Sequence, residues 1–186
     1  MCTPNVHTQQ HVTFEELTIT NPAGSGLELR GSETSVDMLK CSVKKCKIGG
    51  MYVRVGVTMI ATQCEFTENG GGGVFCHVFC HGANTKARLH DCTMHHNNEG
   101  NGLYAYEDAV VDLHGTKSDI HSNKMDGIHA TDNGKVNIHM PSQHNTSHDN
   151  VGRDQHQLRG GSIANINADG TFTHVPAPME VEVGDY

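Results

Sequence analysis

Short runs of alternating apolar and polar residues recur through most of the chain. The segments ARLHDCTMH at 87–95, VVDLHG at 110–115 and KVNIHM at 135–140 are examples, and Gly, Asn or Asp residues lie between such runs. Alternation with a period of two is typical of strands that bury one face, and the intervening residues favour turns. The pattern therefore predicts many short strands joined by tight turns.

A longer phrase also repeats, in which an apolar residue is followed by Asn, then Gly, then a second apolar residue. Its clearest copy is IHSNKMDGIHA at 120–130. The corresponding glycines are Gly26, Gly50, Gly73, Gly102 and Gly127, with a poorer sixth at Gly152, and they lie 24, 23, 29, 25 and 25 residues apart. A period of this size indicates stacked structural repeats.

Three short strands in each repeat predict an all-β fold, a single-stranded parallel β-helix of about six coils of 23–29 residues. Successive coils would lie about 4.8 Å apart, the spacing of hydrogen-bonded strands. We expect an N-terminal arm over 1–10, the β-helix over 11–170, and a C-terminal cap or tail over 171–186.

Alignment of the repeats gives columns of apolar residues that we expect to point inward. These are Val36, Met59, Ala87, Val111 and Val136; Met38, Ala61, Leu89, Leu113 and Ile138; Cys41, Cys64 and Cys92; Val43, Phe66, Met94 and Ile120; and Leu27, Met51, Val74, Leu103 and Ile128. The glycines suit either a positive φ or a close backbone approach. Asn69, Asn97 and Asn123 align as an amide ladder, and Cys46 takes the same position one coil earlier.

The repeated phrase resembles the right-handed parallel β-helix repeat of the pectin-lyase-like superfamily, over roughly residues 11–167. The resemblance implies this fold but not an activity, because the architecture carries lyases, hydrolases, epimerases, adhesins and non-catalytic repeats. The Asn-Thr-Asp, Gly-His-Gly and Arg-Ile-Lys motifs of polygalacturonase-like hydrolases are absent, and so is the Asp-Pro-His motif of mannuronan-epimerase-like enzymes.

Aromatic residues fall in the outward column that follows the glycines. That column is Glu28, Tyr52, Phe75, Tyr104, His129 and Asp154, and the next outward column is Arg30, Arg54, His77, Tyr106, Thr131 and His156. Exposed aromatic and Arg side chains supply contact area at low entropic cost. We therefore predict a non-catalytic module that binds a polysaccharide or a protein through Tyr52, Arg54, Phe75, His77, Tyr104 and Tyr106. The alternative is that these aromatic residues only stabilise neighbouring strands.

The competing functional hypothesis is a polysaccharide lyase, hydrolase or epimerase that acts on a uronate-containing glycan. Pectate-lyase-like sites combine carboxylates that hold Ca²⁺ with a basic residue that removes a proton. The candidate catalytic residues here are Asp126, His129, Arg153 and Asp154. Asp residues are also ordinary components of turns, so their presence alone does not identify a site.

Three histidines share another outward position, at His90, His114 and His139, and Asp112 lies in the adjoining column. Imidazoles on neighbouring coils and a carboxylate could bind Zn²⁺. All three histidines together would span about 9.6 Å, which is too far for one ion. The alternative is chance alignment, because the chain contains 15 histidines. His95 and His121 form a second aligned pair.

Net charge and cysteine content indicate which classes of partner and which cellular compartment to expect. A net charge of −8 without a Lys/Arg cluster argues against nucleic acid, and no apolar run approaches 18 residues, so no membrane partner is expected. Seven cysteines, an odd number, favour reduced thiols and an intracellular setting. The first residues lack the pattern of a secretory signal, but a mature chain would lack it too.

Overall fold

The computed structural model describes residues 10–72, 74–77, 84–142 and 146–174, with the backbone alone described for 74–77 and 174. These ranges contain strands and no helix, and therefore no helix that is long and apolar enough to cross a bilayer. In chain order the strands are β1 Gln10–Glu15, β2 Thr18–Ile19, β3 Leu27–Arg30, β4 Thr34–Leu39, β5 Ser42–Lys44, β6 Met51–Arg54, β7 Thr58–Thr62, β8 Glu65–Thr67, β9 Val74–His77, β10 Lys86–His90, β11 Thr93–His95, β12 Leu103–Tyr106, β13 Val110–His114, β14 Asp119–His121, β15 Ile128–Thr131, β16 Lys135–His139, β17 Ser147–His148, β18 Gln155–Leu158, β19 Ser162–Ile166 and β20 Phe172–His174.

The strands form three sheets that run the length of the molecule. The first sheet has the order β1-β4-β7-β10-β13-β16-β19-β20, the second β17-β14-β11-β8-β5-β2, and the third β18-β15-β12-β9-β6-β3. Every third strand therefore pairs with the strand of the same sheet in the next coil, and these pairs are parallel. The predicted parallel β-helix of about six coils, with three strands in each, is confirmed.

The predicted inward columns form one continuous core. In the first sheet Val36 pairs with Met59, Met59 with Ala87, and Ala87 with Val111, in the register that the repeat predicts. These side chains are buried, as are Phe66, Met94 and Ile120 of the second sheet. Cys41, Cys64 and Cys92 are buried free thiols, in agreement with their predicted inward position. The interior is filled because like side chains lie above one another, coil after coil.

The corners use left-handed backbone at residues that are mostly not glycine. After the strands of the first sheet, Glu16, Lys40, Gln63 and Asp91 have φ between 50° and 54°, and Gly115 follows at 87°. Each of the four non-glycine corner residues donates its backbone N–H to the next coil, as from Gln63 to the carbonyl of His90 at 2.9 Å. The repeated hydrogen bond offsets the steric cost of this conformation, which is about 1–2 kcal/mol for an L-residue.

Four glycines of the repeated phrase, Gly26, Gly102, Gly127 and Gly152, serve close packing and not a positive φ, and Gly73 lies outside the described residues. A Cβ atom on Gly26 would lie 2.6 Å from the carbonyl oxygen of Gly50, and one on Gly102 would lie 2.5 Å from Cγ2 of Ile120. Real Cβ atoms do not approach other atoms so closely. Of the two explanations that the sequence left open, close approach therefore accounts for these positions.

The predicted amide ladder is present inside one corner. Asn97 accepts the backbone N–H of Asn69 on Oδ1 and donates Nδ2 to Oδ1 of Asn123 at 2.8 Å. Oδ1 of Asn69 likewise accepts the backbone N–H of Cys46 at 3.0 Å, and Nδ2 of Asn123 donates to Oδ1 of Asn150 at 2.9 Å. Asn150 was not predicted as a member. Asn69, Asn97 and Asn123 are buried, so the ladder satisfies backbone groups that water does not reach.

The predicted alignment of the sixth coil is wrong by two residues. Ile128 pairs with Gln155 and His129 pairs with His156, so Asp154 lies opposite Gly127. The prediction had placed Gly152 opposite Gly127, Asp154 opposite His129, and His156 opposite Thr131. The two additional residues lie between β16 and β17, because Ile138 and Ser147 are nine residues apart whereas their partners Leu113 and Ile120 are seven apart. An alignment on glycines does not detect this difference.

The C-terminal end of the stack is closed by polar groups and by a reversed strand. The inward positions of the third sheet become Gln155 and Gln157 in the last coil, and Gln157 accepts the N–H of Ile163 at 2.9 Å. β20 then pairs with β19 in the antiparallel direction. The remainder of the predicted tail, 175–186, and residues 1–9 of the predicted arm lie outside the described residues.

Asn97→Ala should lower the free energy of unfolding by at least about 2 kcal/mol, because it leaves buried partners in two neighbouring coils without hydrogen bonds. Chemical denaturation measures this change. The matched control is Asn98→Ala, which removes an exposed amide next in the chain and should cost less than about 0.5 kcal/mol. Equal effects of the two substitutions would show that the ladder does not stabilise the corner.

Candidate functional site

The outer face of the third sheet carries the predicted aromatic column. Tyr52 and Tyr104 both pair in backbone register with Phe75, which lies on the strand between them. The side chains of Phe75 and His77 lie outside the described residues. Tyr106 stacks beside Tyr104 with ring centroids 5.9 Å apart. The structure therefore brings Tyr52, Tyr104 and Tyr106 to one face, as predicted.

Arg54 belongs to the same face and is held by two neighbours. Its guanidinium carbon lies 4.6 Å from the centre of the Tyr52 ring, a cation–π contact. One of its nitrogens is 3.4 Å from the Glu28 carboxylate, which also binds Arg30. A shared carboxylate thus allows two Arg side chains to occupy successive coils.

A groove of about 240 Å³ lies beside the tyrosines. Tyr52 and Tyr104 line it together with Gly49, Gly71, Gly72, Gly100 and Asn101. Burial raises the pKa of both tyrosine hydroxyls, so both remain protonated at neutral pH. Because four glycines contribute no side chains to its lining, a ligand can approach the backbone while packing against aromatic rings.

A second groove of about 510 Å³ continues along the face. Its lining includes Tyr104, Tyr106, His129, Thr131, Asp132, Leu158 and Arg159. Tyr104 borders both grooves, so together they follow the third sheet from the second coil to the sixth. Such a continuous concave surface suits an extended ligand better than a compact one.

A cluster around Asp126 borders the second groove. Asp126 lies in the turn before β15, and its Oδ2 atom is 2.8 Å from Nδ1 of both His129 and His156. Its other oxygen, Oδ1, accepts the backbone N–H of Arg153 at 2.8 Å. The side chains of Asp126, His129 and His156 are 11%, 14% and 15% exposed. The cluster therefore joins two coils around one shielded carboxylate.

The hydrogen bonds define the charge state of this cluster. Burial alone would raise the pKa of the Asp126 carboxyl, but hydrogen bonds from His129, the Arg153 amide and His156 outweigh burial and lower the pKa to about 2. The Arg153 side chain donates to Nε2 of His156, so the proton of a neutral His156 must lie on Nδ1 and face Asp126. Asp126 is thus an ionised acceptor between two imidazoles.

The predicted catalytic set is only partly assembled. Asp126, His129 and Arg153 lie together, whereas Asp154 turns to another partner and accepts Nδ2 of Asn150 at 3.0 Å. His156 takes its place beside Asp126. Sequence alignment placed His156 in the neighbouring column because the connection between β16 and β17 is two residues longer than that between β13 and β14. The sequence did contain one local indication of the cluster, because Asp126 lies three residues before His129.

The predicted metal residues of the first sheet form a smaller group than expected. Asp112, His114 and His139 have ligand atoms within 4.8 Å of one another, and Oδ1 of Asp112 is 3.1 Å from Nε2 of His139. His90 pairs in register with His114 but contacts Asp91 at 3.3 Å instead. Burial, then the neighbouring charges of His139 and Arg88, lower the pKa of His114. The zinc site in this column stays a prediction.

The second sheet carries a longer ladder than the predicted pair of His95 and His121. These two rings stack with centroids 5.1 Å apart, and His148 extends the stack by 5.3 Å. His148 also contacts Asp119 at 3.0 Å and Asp149 at 2.9 Å. Asp119 also lies 4.0 Å from His121, so one carboxylate accompanies the pair of His121 and His148, and Glu65 accompanies His95 at 3.0 Å.

Comparison with known proteins identifies the family to which the fold corresponds. A family model described as a right-handed β-helix region matches residues 5–151, well over half of the chain. No curated protein matches the chain significantly, and neither does any solved structure. The match agrees with the repeat and the three-sheet architecture, and it carries no statement of ligand or activity.

His121 should make the fold less stable in acid. Burial, and then the positive charges of His95, His148 and His96, outweigh the attraction of Asp119 and lower its pKa from the ordinary value of 6.5. The unfolded chain then binds more protons below that value, so the contribution of His121 is present above about pH 6.5 and is lost as the pH falls through the lower folded pKa. His121→Asn should therefore show a shallower loss of unfolding free energy between pH 7.5 and 5.5.

His148→Asn provides a control of opposite sign. Its hydrogen bond with Asp149 raises the pKa of His148, so protonated His148 stabilises the fold in acid, and this contribution is lost as the pH rises through the higher folded pKa. Its removal should make the loss of stability on acidification steeper. Denaturation curves at the two pH values test both variants, and slopes that change in the same direction would contradict this interpretation.

Proposed function

Because this chain belongs to the right-handed β-helix family, whose fold is compatible with many activities, we propose that it is a non-catalytic binding module that holds an extended glycan along the outer face of its third sheet. The observation that carries this proposal is the glycine-lined groove beside Tyr52 and Tyr104.

Three features of the groove support a sugar ligand. The aromatic rings of Tyr52 and Tyr104 can pack against the C–H faces of pyranose rings. The glycine floor leaves room for hydroxyl groups close to the backbone, and Nδ2 of Asn101 can donate to them while its Oδ1 accepts the N–H of Asp126. Tyr52 and Tyr104 lie two coil spacings apart, about 9.6 Å on the strand spacing, which is roughly the length of two sugar units.

The continuity of the two grooves supports a polymeric ligand. Tyr104 borders both of them, and the larger groove ends near Arg159 and the Asp126 cluster. A chain of sugars that follows the sheet would meet Tyr52 first, then Tyr104, then Tyr106. A protein partner would instead favour a flatter and less interrupted surface.

Tyr52→Ala and Tyr104→Ala should each weaken binding to a glycan identified on an array by roughly tenfold, because each removes one aromatic contact of about 1 kcal/mol or more. Calorimetry with the purified chain measures the change. Phe172→Ala is the matched control, because Phe172 is exposed in the first sheet and its loss should leave affinity unchanged. Unchanged affinity in both tyrosine variants, or an array without any bound glycan, would exclude the proposal and direct attention to a protein partner.

A second candidate function rests on the Asp126 cluster. A carboxylate that orients an imidazole, beside an Arg side chain, is an arrangement that can remove a proton from a carbon next to a uronate carboxylate. Asp126 would orient His129, and Arg153 would bind the substrate carboxylate. The candidate activity is cleavage by elimination of a uronate-containing glycan, and the same groups could serve hydrolysis or epimerisation.

An ultraviolet assay on polyuronates separates the two functions. Elimination creates an unsaturated product that absorbs in the ultraviolet, so a lyase would give a signal that Asp126→Asn reduces by at least about 100-fold. The binding module would give no signal while still retaining the glycan. Product formation by the wild-type chain, with or without added Ca²⁺ or Zn²⁺, would overturn the non-catalytic proposal.

A further inference from the structure

The Asp126 cluster has the composition and the convergence of a metal site. Three ligand atoms, one carboxylate oxygen and two imidazole nitrogens, lie within 4.8 Å of one another. Both nitrogens are 2.8 Å from the same oxygen, Oδ2 of Asp126. Zinc ligands bind at about 2.0–2.2 Å, so an ion between these atoms requires only a small separation of the side chains.

We propose that Asp126, His129 and His156 bind one divalent transition-metal ion of the zinc type, with an open coordination position. Two imidazoles and one carboxylate suit Zn²⁺, Co²⁺ or Ni²⁺, whereas Ca²⁺ requires six to eight oxygen ligands. Three protein ligands leave a fourth position for water or another oxygen ligand.

The surroundings hold the ligands in place. Oδ1 of Asp126 is fixed by the backbone N–H of Arg153, which leaves Oδ2 directed between the two imidazoles. The ring of Tyr104 meets the His129 ring edge to face, with centroids 5.0 Å apart. His129 and His156 lie in register on β15 and β18. Outer contacts of this kind orient ligands and raise affinity.

Metal binding has a defined consequence for protons. Coordination at Nδ1 of His129 and His156 requires that these atoms carry no proton. In a neutral His156 the single ring proton moves from Nδ1 to Nε2, which then can no longer accept from Arg153. Arg153 is exposed, so its side chain can move into solvent or toward the groove. The bound ion therefore releases Arg153.

Ring orientation distinguishes this cluster from the predicted site of the first sheet. His114 and His139 stack at 4.0 Å with their planes only 16° apart, so their in-plane lone pairs run nearly parallel. His129 and His156 are tilted by 56°, which allows their nitrogens to converge on one ion. Nε2 of His114 is nevertheless buried without a hydrogen-bond partner among the residues that the structure describes, which makes that group the appropriate competitor in a test.

The test is a calorimetric titration of the metal-stripped chain with Zn²⁺, with no glycan present, alongside visible spectra with Co²⁺. We expect one tight site in the wild type. The double variant His129→Ala/His156→Ala should bind at least roughly 100-fold more weakly and should lose the Co²⁺ spectrum of histidine ligation. The matched double variant His114→Ala/His139→Ala should keep both signals.

A further variant distinguishes the loss of a metal ligand from the loss of folding. Asp126→Asn keeps the shape of the side chain and weakens the ligand, so it should reduce affinity while circular dichroism stays unchanged. Absence of a tight site in the wild type, or a tight site that survives His129→Ala/His156→Ala, would overturn the proposal. Because the titration contains no glycan, its outcome is independent of whether the tyrosine face binds sugar.

Discussion

The register between coils is the constraint on which the rest of the molecule depends. Each residue of a strand lies directly beside its counterpart in the next coil, about 4.8 Å away. A side chain must therefore tolerate a copy of itself at that distance. Aliphatic groups meet this condition by packing, and Asn meets it because one amide is both donor and acceptor for the next. Imidazoles meet it by stacking.

Like charges on successive coils do not meet this condition unless a group of opposite charge contacts both of them. Arg30 and Arg54 occupy successive coils, and the Glu28 carboxylate contacts both. In the first sheet Arg88 is followed in register by Asp112 and then Asn137, so no charge has its like beside it. The same rule is compatible with the histidines of the outer columns, because their rings stack on one another and can also gather around an ionised carboxylate such as Asp126.

The sequence predicts the fold well because most positions serve the stack. The inward columns, the three-strand coil and the central part of the amide ladder follow from a regular period. Left-handed corners at residues such as Lys40 and Gln63 were not predictable, because their conformation is stabilised by hydrogen bonds to the next coil and not by a special residue type.

The candidate site was less predictable, for a related reason. Tyr52 and Tyr104 could be placed on one face, but the groove beside them depends on the approach of glycine backbones from three coils. His156 could not be placed beside His129, because its column is set by the length of a turn and turn lengths leave no periodic signal.

That longer turn has an evolutionary consequence. The two additional residues lie between β16 and β17, and β17 and β18 still pair in register with the strands of the preceding coil. Small insertions between strands can therefore lengthen a connection in one genetic event, while the pairing of the strands and the core beneath them are preserved.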